Sequence, residues 1–395
     1  RRRPYRLTMG GGQQLLKTAD NPRLARHPLR ALQRITTTGT LLPVVDGLRF
    51  VAIAAVVLYH LQGYGGEIVQ HGPVWRLARV GWFGVELFFA ISGFVLGLGF
   101  IRSRLGDASP VRMGAYLWRR VTRLEPPYVV ALLIYFGLKT FIAGEDGLLP
   151  HLLASAAYVH NVAYGEPSRV LGIAWSLEIE VQFYLLVPFL SLVFTLRSAS
   201  VRRALLLAGI AGGQLLAAAL HGTPPSILGH LHWFLVGFLL CDLYWVDWRS
   251  GGSSRWPLAW DLTGALAWIG MFCALAYPPD FRWTLPWLMG IAYSAAFRGR
   301  WTNALLRSPT VWLIGGTCYS VYLYHTVILR LLVLDRPLVT WIGEHVPAAW
   351  RLPVLALCAL PVVFVLTSAA YLLIERPCMR RDWPQRLWAR LRGAA

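Results

Sequence analysis

The chain has 395 residues, of which 56% are hydrophobic, 13% aromatic and only 14% charged, and this composition excludes a soluble domain of this length. The net charge of +19 at pH 7 would suit nucleic acid, but the basic residues fall in short blocks between apolar segments. That pattern is typical of a protein that lies in a membrane, so no nucleic-acid partner is predicted. The five cysteines show no CxxC or metal-ligand spacing, and no metal site is predicted.

The chain divides into three predicted regions. Residues 1–40 are polar and basic, and we expect this cytoplasmic N-terminal arm to be disordered or to lie along the membrane surface. No cleavable signal peptide is predicted in the arm. A transmembrane domain is predicted over 41–377, followed by a basic cytoplasmic tail over 378–395.

Apolar stretches long enough to cross a bilayer predict an all-α integral membrane protein with about ten transmembrane helices. They lie near residues 43–62, 81–101, 124–143, 174–196, 203–221, 227–247, 258–277, 283–299, 310–333 and 352–374. With both termini in the cytoplasm, 29 of the 38 lysines and arginines lie on the inner side and six on the outer side, as the positive-inside rule expects.

Two local features modify this scheme. Pro126 and Pro127 are predicted to break helix continuity at the start of the third span. The segment 150–165 is apolar but too short to cross the bilayer, and we expect an outer-face or re-entrant element there.

The first span carries Asp46, Arg49 and His60. A charged group costs roughly 2.5–3.5 kcal/mol near the bilayer centre on insertion scales and less toward either face. A helix that only anchors a protein has no reason to carry three polar groups of this kind. The sequence therefore predicts a membrane enzyme or transporter with a polar interior.

The predicted topology sorts the polar residues into two clusters by depth. The outer cluster holds His60, Glu86, Glu180 and His325, and the inner, basic cluster holds Arg49, Arg119, Arg120, Arg123 and Arg376.

At these residues the chain resembles the acyltransferase family 3 of integral membrane O-acyltransferases. Six blocks carry the resemblance, in the family's order: VDGLRFVAIAAVVLYH (45–60), GWFGVELFFAISGFVLG (81–97), YLWRRVTRLEPPY (116–128), WSLEIEVQFYLLVP (175–188), YSVYLYH (319–325) and IERP (374–377). The resemblance implies that His60 is catalytic and that Arg120 and Arg123 bind a cytoplasmic acyl-CoA donor. The chain departs from the family pattern at Glu86, where Asp is common, and at Glu178, an extra acid.

His60 has the chemistry of a general base, because an imidazole of near-neutral pKa can take the proton of an attacking hydroxyl. A structural histidine bonded to a neighbouring helix is the alternative. Glu180 and Glu86 would orient the His60 ring, as a triad acid does, or would only hydrogen-bond neighbouring helices.

Arg120 and Arg123 are three residues apart and share one helical face. Guanidinium groups bind phosphate oxygens bidentately, and coenzyme A carries a pyrophosphate and a 3′-phosphate. Plain positive-inside charge is the alternative for Arg120 and Arg123. Arg49 is assigned to the same donor site. Asp46 and Arg49 form either a structural ion pair or part of the donor mouth. The candidate residues for the wall of the site are Asp46, Trp175, Ser176, Tyr184 and His325.

The resemblance implies an O-acyltransferase that moves an acyl group, first of all acetyl, from acyl-CoA to a hydroxyl of a cell-envelope polysaccharide or lipid-linked sugar in a bacterial inner membrane. Acyl-CoA is the donor substrate, and no tightly bound cofactor is expected. Two alternatives stay open. One is a tailoring O-acyltransferase of a macrolide-like or glycosylated secondary metabolite, and the other is a transporter or exporter, which paired broken helices in inverted halves would favour.

Overall fold

The computed structural model describes residues 16–17, 27–36, 40–105, 109–249, 254–277, 279–333, 337–380 and 382–392. These residues are almost entirely helical. The α-helices are α1 (Pro43–Gly65), α2 (Gly72–Ala78), α3 (Gly84–Arg104), α4 (Met113–Gly137), α5 (Leu148–Ala156), α6 (His160–Tyr164), α7 (Trp175–Leu190), α8 (Ala199–Ala219), α9 (Ile227–Leu243), α10 (Pro257–Ala276), α11 (Leu285–Arg298), α12 (Trp301–Leu306), α13 (Pro309–Gly315), α14 (Cys318–Val333), α15 (Pro337–His345), α16 (Arg351–Ala370), α17 (Arg376–Cys378) and α18 (Trp383–Leu391).

Short elements complete the fold. Two-residue strands β1 (Leu16–Lys17) and β2 (Thr40–Leu41) pair antiparallel. Single π-helical turns follow α4, α9 and α16, at Leu138–Ile142, Tyr244–Trp248 and Tyr371–Glu375.

Eight helical stretches in the described chain are long and apolar enough to cross a membrane, and they contain α1, α3, α4, α7, α8, α9, α10 and α16. The all-α membrane fold predicted from the sequence is thus confirmed. The other two predicted spans correspond to shorter helices, α11 with 14 residues and α14 with 16. The count of ten spans, the cytoplasmic termini and the three domain boundaries stay predictions.

The predicted ninth span, 310–333, is not one helix. It breaks between α13 and α14 at Gly316 and Thr317. Gly315 lies so close to the backbone carbonyl of Asp46 on α1 that a Cβ atom would not fit there. The break lets the chain approach α1 closely, as small residues do between membrane helices, and it places Gly316 and Cys318 on a cavity wall.

The predicted helix break at Pro126 and Pro127 is wrong, because α4 runs through both prolines from Met113 to Gly137. A proline inside a helix has no N–H to give to the carbonyl four residues earlier. For Pro126 that carbonyl belongs to Thr122, and it accepts a hydrogen bond from the indole Nε1 of Trp383 at 2.9 Å. A replacement donor thus satisfies the backbone, and the longer helix carries Arg120 and Arg123.

The core is tightest where α3 crosses α9. Gly93 faces the carbonyl of Phe234, and Gly237 faces the carbonyl of Ala90, each too closely for a side chain. Phe234 stacks on both Phe89 and Phe183 beside this crossing. Paired small residues let two membrane helices pack backbone to backbone, which fixes the position of α3 and its polar residues.

The segment predicted as an outer-face or re-entrant element contains α5 and α6. Tyr158, in the turn between them, stacks on Tyr128 of α4 with ring centroids 4.8 Å apart. Tyr128 lies nine residues before the end of α4, or about 14 Å along the helix axis. Glu178 accepts hydrogen bonds from the backbone N–H groups of His160 and Asn161 at 3.0 and 2.8 Å. The segment therefore reaches inward along α4, and the extra acid Glu178 holds it.

Part of the N-terminal arm differs from the prediction. A short 3₁₀-helix, Pro28–Leu32, packs on the protein, with Leu32 buried against Tyr371 and Met379. Two apolar contacts and an ion pair to Asp46 hold residues 27–36 in place, so these residues are not disordered. Residues 1–15, 18–26 and 37–39 of the predicted arm lie outside the described residues.

Candidate active site

A cavity of about 120 Å³ lies between α1, α3, α4, α7 and α14. A water needs roughly 10–15 Å³ of such space, so the cavity has room for on the order of ten waters. Three arginines and two glutamates provide its charges, and apolar rings and aliphatic side chains cover much of the rest. The charged lining residues are Arg49, Arg120, Arg123, Glu180 and Glu375.

Arg120 and Arg123 have unused hydrogen-bonding capacity. The Nε atoms of both side chains are buried and have no hydrogen-bond partner among the described residues. The Arg120 guanidinium lies near the rings of Tyr116 and Tyr184, at 5.7 and 5.5 Å from their centroids. Buried polar groups are nearly always paired, so two orphaned donors on one cavity wall mark a site for a ligand with acceptor oxygens.

Arg49 differs from these two arginines because it already has a carboxylate. Its Nη1 lies 2.5 Å from Asp46, which also pairs with Arg34 at 2.8 Å. Asp46 is 0% exposed and does not line the cavity. Of the two alternatives for Asp46 and Arg49, the ion pair is therefore present, while Arg49 alone also reaches the cavity.

Glu180, predicted in the outer cluster, lines the arginine cavity, and no hydrogen bond among the described residues joins it to His60 or His325. Its Oε1 accepts a hydrogen bond from Ser92 at 2.8 Å. Glu375, which the sequence analysis missed, accepts hydrogen bonds from the backbone N–H and hydroxyl of Ser320 at 3.1 and 2.6 Å. Both carboxylates thus face the cavity from positions held by serines.

Glu86 is buried, with 6% exposure, and its Oε2 has no hydrogen-bond partner in the described part of the chain. It does not line the cavity. No hydrogen bond among the described residues joins Glu86 or Glu180 to His60. The arrangement in which either acid orients the imidazole directly, as in a triad, is absent from the described structure.

His60 instead contacts His325. The His325 Nε2 lies 3.2 Å from the His60 Nδ1, and the ring centroids are 4.9 Å apart. The His60 Nδ1 also lies 3.0 Å from the carbonyl of Val56. His325 is completely buried, and its Nδ1 lies 2.8 and 3.0 Å from the carbonyls of Tyr322 and Val321.

Tyr322 lies between the cavity and this pair of histidines. It lines the cavity, and its ring centroid is 6.0 Å from that of His325. Its hydroxyl lies 2.6 Å from the Ser176 hydroxyl and donates to the carbonyl of Ile173 at 3.0 Å. The cavity and the histidine pair are therefore adjacent parts of one polar interior.

The predicted wall residues divide between the two parts. Ser176 and Tyr184 line the cavity, and His325 contacts His60. Trp175 lies off the cavity, packed against Phe89 and His230.

Comparison with known proteins identifies the family of the chain. A family described as an acyltransferase domain, the acyltransferase 3 family, matches residues 42–373. The chain belongs to this family. It is therefore an acyltransferase and, with its apolar helices, a multi-pass membrane protein. This result sets aside the transporter alternative.

The chain is similar to several proteins at moderate identity. The exopolysaccharide production protein ExoZ of Rhizobium meliloti is 28% identical over 331 residues, covering 80% of this chain and 95% of ExoZ. The peptidoglycan O-acetyltransferase OatA of Listeria monocytogenes is 32% identical over 165 residues, covering 38% of this chain and 24% of OatA. A relative from Staphylococcus aureus strain COL is 23% identical over 321 residues, covering 73% of this chain.

The matches span only part of some relatives. The chain spans about a quarter of the length of OatA and half the length of the Staphylococcus aureus relative. No solved structure matches the chain.

Sequence analysis missed two charged residues, one on the cavity wall and one paired with Asp46. Glu375 lies one residue beyond the predicted last span, 352–374, but inside the helical stretch Ala348–Cys378. A longer predicted span would have brought it under the rule that singled out Glu86 and Glu180, an acid within a span. Arg34 belongs to the basic arm, where one arginine among several carries no signal. Its ion pair with Asp46 depends on the tertiary fold alone.

Proposed function

We propose that the protein transfers an acetyl group from acyl-CoA to a hydroxyl of a cell-envelope polysaccharide or a lipid-linked sugar. The observation that carries this proposal is the pair of buried Nε donors of Arg120 and Arg123 on the cavity wall, which no described residue hydrogen-bonds. The printed names of OatA and ExoZ, which refer to peptidoglycan O-acetylation and exopolysaccharide production, support a polysaccharide acceptor.

The arginines would bind the donor. Arg49 is neutralised by Asp46 at 2.5 Å, whereas neither Arg120 nor Arg123 has a carboxylate within ion-pair distance among the described residues. Guanidinium donors form strong charge-assisted bonds with phosphate oxygens. Arg120 and Arg123 therefore take the phosphates of coenzyme A in this proposal, and Arg49 holds the wall of the site.

His60 would act as the general base. Its imidazole removes the proton of the acceptor hydroxyl while the oxygen attacks the thioester carbonyl. The new C–O bond forms, the C–S bond breaks, and the proton passes from the imidazolium to the departing thiolate sulfur. The products are the O-acetyl ester and free coenzyme A.

The distance from the end of α1 that carries Asp46 and Arg49 to His60 suits a long donor. On the continuous helix α1, Asp46 and His60 are separated by about 21 Å along the axis. The phosphates of the donor would remain near the arginines, and its extended pantetheine arm would carry the thioester past Tyr322 toward His60. The acceptor would then approach from the outer side of a bacterial inner membrane.

Two measurements test the proposal. Equilibrium binding of acetyl-CoA to the purified protein in detergent is expected, with weaker binding of dephospho-coenzyme A, which lacks the 3′-phosphate. In cells that lack the gene, we expect fewer alkali-labile acetyl esters on envelope polysaccharide and restoration by the wild-type gene. Absence of acetyl-CoA binding would remove the donor assignment, and an unchanged ester content would remove the acceptor assignment.

A further inference from the structure

The two histidines form a directed chain of hydrogen bonds. The His325 Nδ1 has two carbonyl oxygens, those of Tyr322 and Val321, at 2.8 and 3.0 Å. A carbonyl oxygen can only accept, so this nitrogen carries a proton and donates it. In a neutral imidazole the other nitrogen, Nε2, is then an acceptor.

The same reasoning gives the protonated nitrogen of His60. The acceptor Nε2 of His325 lies 3.2 Å from the His60 Nδ1, and the Val56 carbonyl lies 3.0 Å from that same Nδ1. Two acceptors face one nitrogen, so the His60 Nδ1 carries a proton. The lone pair of the neutral ring is consequently on Nε2, which no described residue hydrogen-bonds.

We infer that His325 is the positioning residue of His60, holding the ring in the tautomer whose Nε2 is free to accept a proton. The inference rests on the proposed function of His60 as a general base. It gives His325 the place that Glu180 and Glu86 were predicted to fill, since neither acid contacts His60 in the described structure.

A neutral partner suits this position. A carboxylate buried beside His60 would need its own counter-charge, because an isolated ion in a low-dielectric interior is costly. The neutral His325 ring orients His60 without adding charge to the resting state. When the His60 Nε2 takes the hydroxyl proton, His60 becomes an imidazolium. The His325 Nε2 stabilises this cation by accepting the hydrogen bond from the His60 Nδ1–H.

Three variants separate positioning from packing. His325→Leu removes the acceptor, and we expect kcat to fall about 10- to 100-fold, less than the roughly 10²–10⁴-fold that a general base contributes. His325→Gln keeps an amide oxygen for the His60 Nδ1–H and an amide N–H₂ for the carbonyls, so it should recover most of kcat.

The matched control is His232→Leu. It removes a buried histidine of α9 that neither lines the cavity nor contacts His60 among the described residues. The KM for acetyl-CoA should stay unchanged in both His325 variants, because the arginines lie in the cavity.

The tautomer can be read without any activity. In protein labelled with ¹⁵N in the histidine rings, the His60 signal, assigned by its loss in His60→Gln, should show a protonated Nδ1 and an unprotonated Nε2. His325→Leu should shift or broaden that pattern, and His232→Leu should leave it unchanged. A His60 protonated on Nε2, or a spectrum that His325→Leu does not alter, would overturn the inference.

The outcomes separate the two proposals. If His60→Ala remains active, the general-base assignment fails and His325 has nothing to position. If His60→Ala is inactive while His325→Leu matches wild type, or if His325→Gln is as impaired as His325→Leu, only the positioning role of His325 fails.

Discussion

The cavity and the histidine pair differ in how completely their buried hydrogen-bonding groups are paired. In the cavity, two arginines have buried donors that find no partner in the part of the chain that the structure describes. At the histidine pair, three backbone carbonyls and the contact between the two rings give every ring nitrogen a partner except the His60 Nε2 in the described structure. Unpaired buried donors are costly until a ligand satisfies them, whereas a nearly closed chain of hydrogen bonds holds one atom in place. The first arrangement suits binding, and the second suits proton transfer.

The comparison predicts that defects in the two regions have different kinetic signatures. Loss of a phosphate contact weakens donor binding, and excess donor can compensate for it. Loss of the base lowers turnover at every donor concentration.

The largest effect is expected for His60→Ala. Removal of the general base should lower acetyl transfer by roughly 10²–10⁴-fold while acetyl-CoA binding stays unchanged, since the arginines remain. Transfer in membranes and binding by purified protein should be measured together. His345→Ala, which alters an exposed histidine, is the control. A His60→Ala protein that acetylates at the normal rate would remove the contrast between the two regions.

The next largest effect is on stability. Asp46 is fully buried between Arg34 and Arg49, so Asp46→Ala leaves two arginines without their carboxylate, and breaking a buried pair typically costs about 3–5 kcal/mol. Chemical unfolding in detergent should show a corresponding loss of unfolding free energy. Asp382→Ala, which removes an exposed ion pair with Arg386, should change it little. Equal loss in both variants would mean that Asp46 is not a specific anchor of the cavity wall.

Arg120→Ala and Arg123→Ala should each have a moderate effect. One charge-assisted hydrogen bond is worth about 1.5–3 kcal/mol, which corresponds to a roughly tenfold to 150-fold loss of acetyl-CoA affinity. Turnover should recover in part at high donor concentration. Arg102→Ala and Arg104→Ala, which alter exposed residues at the end of α3, are matched controls. Equal weakening in all four variants would indicate general surface charge and would remove the cavity as the donor site.

The sequence predicted the membrane fold, and it singled out His60 and Glu180 because each is a polar side chain inside an apolar span. Arg120 and Arg123 lie before the third predicted span, and the family resemblance singled them out. The sequence could not predict which of these residues meet. Glu180 was grouped with His60 by depth alone, yet it faces the cavity because of the way in which α7 packs, with Ser92 of α3 as its donor. The continuity of α4 through Pro126 was equally hidden, since it depends on Trp383, more than 250 residues later in the sequence.

That distant contact gives the smallest predicted effect, and it tests how firmly the arginine cavity is built. Trp383→Phe keeps an aromatic ring but removes the N–H that satisfies the Thr122 carbonyl, so about 0.5–1.5 kcal/mol of stability should be lost. Thr122 is the neighbour of Arg123, and a change in α4 at this point should therefore lower acetyl-CoA affinity modestly, with the His60 tautomer unchanged. Trp388→Phe, in the same helix α18 but exposed, is the control for both measurements. If the two variants behave alike, the continuity of α4 through its prolines does not depend on Trp383, and Trp383 does not stabilise the cavity.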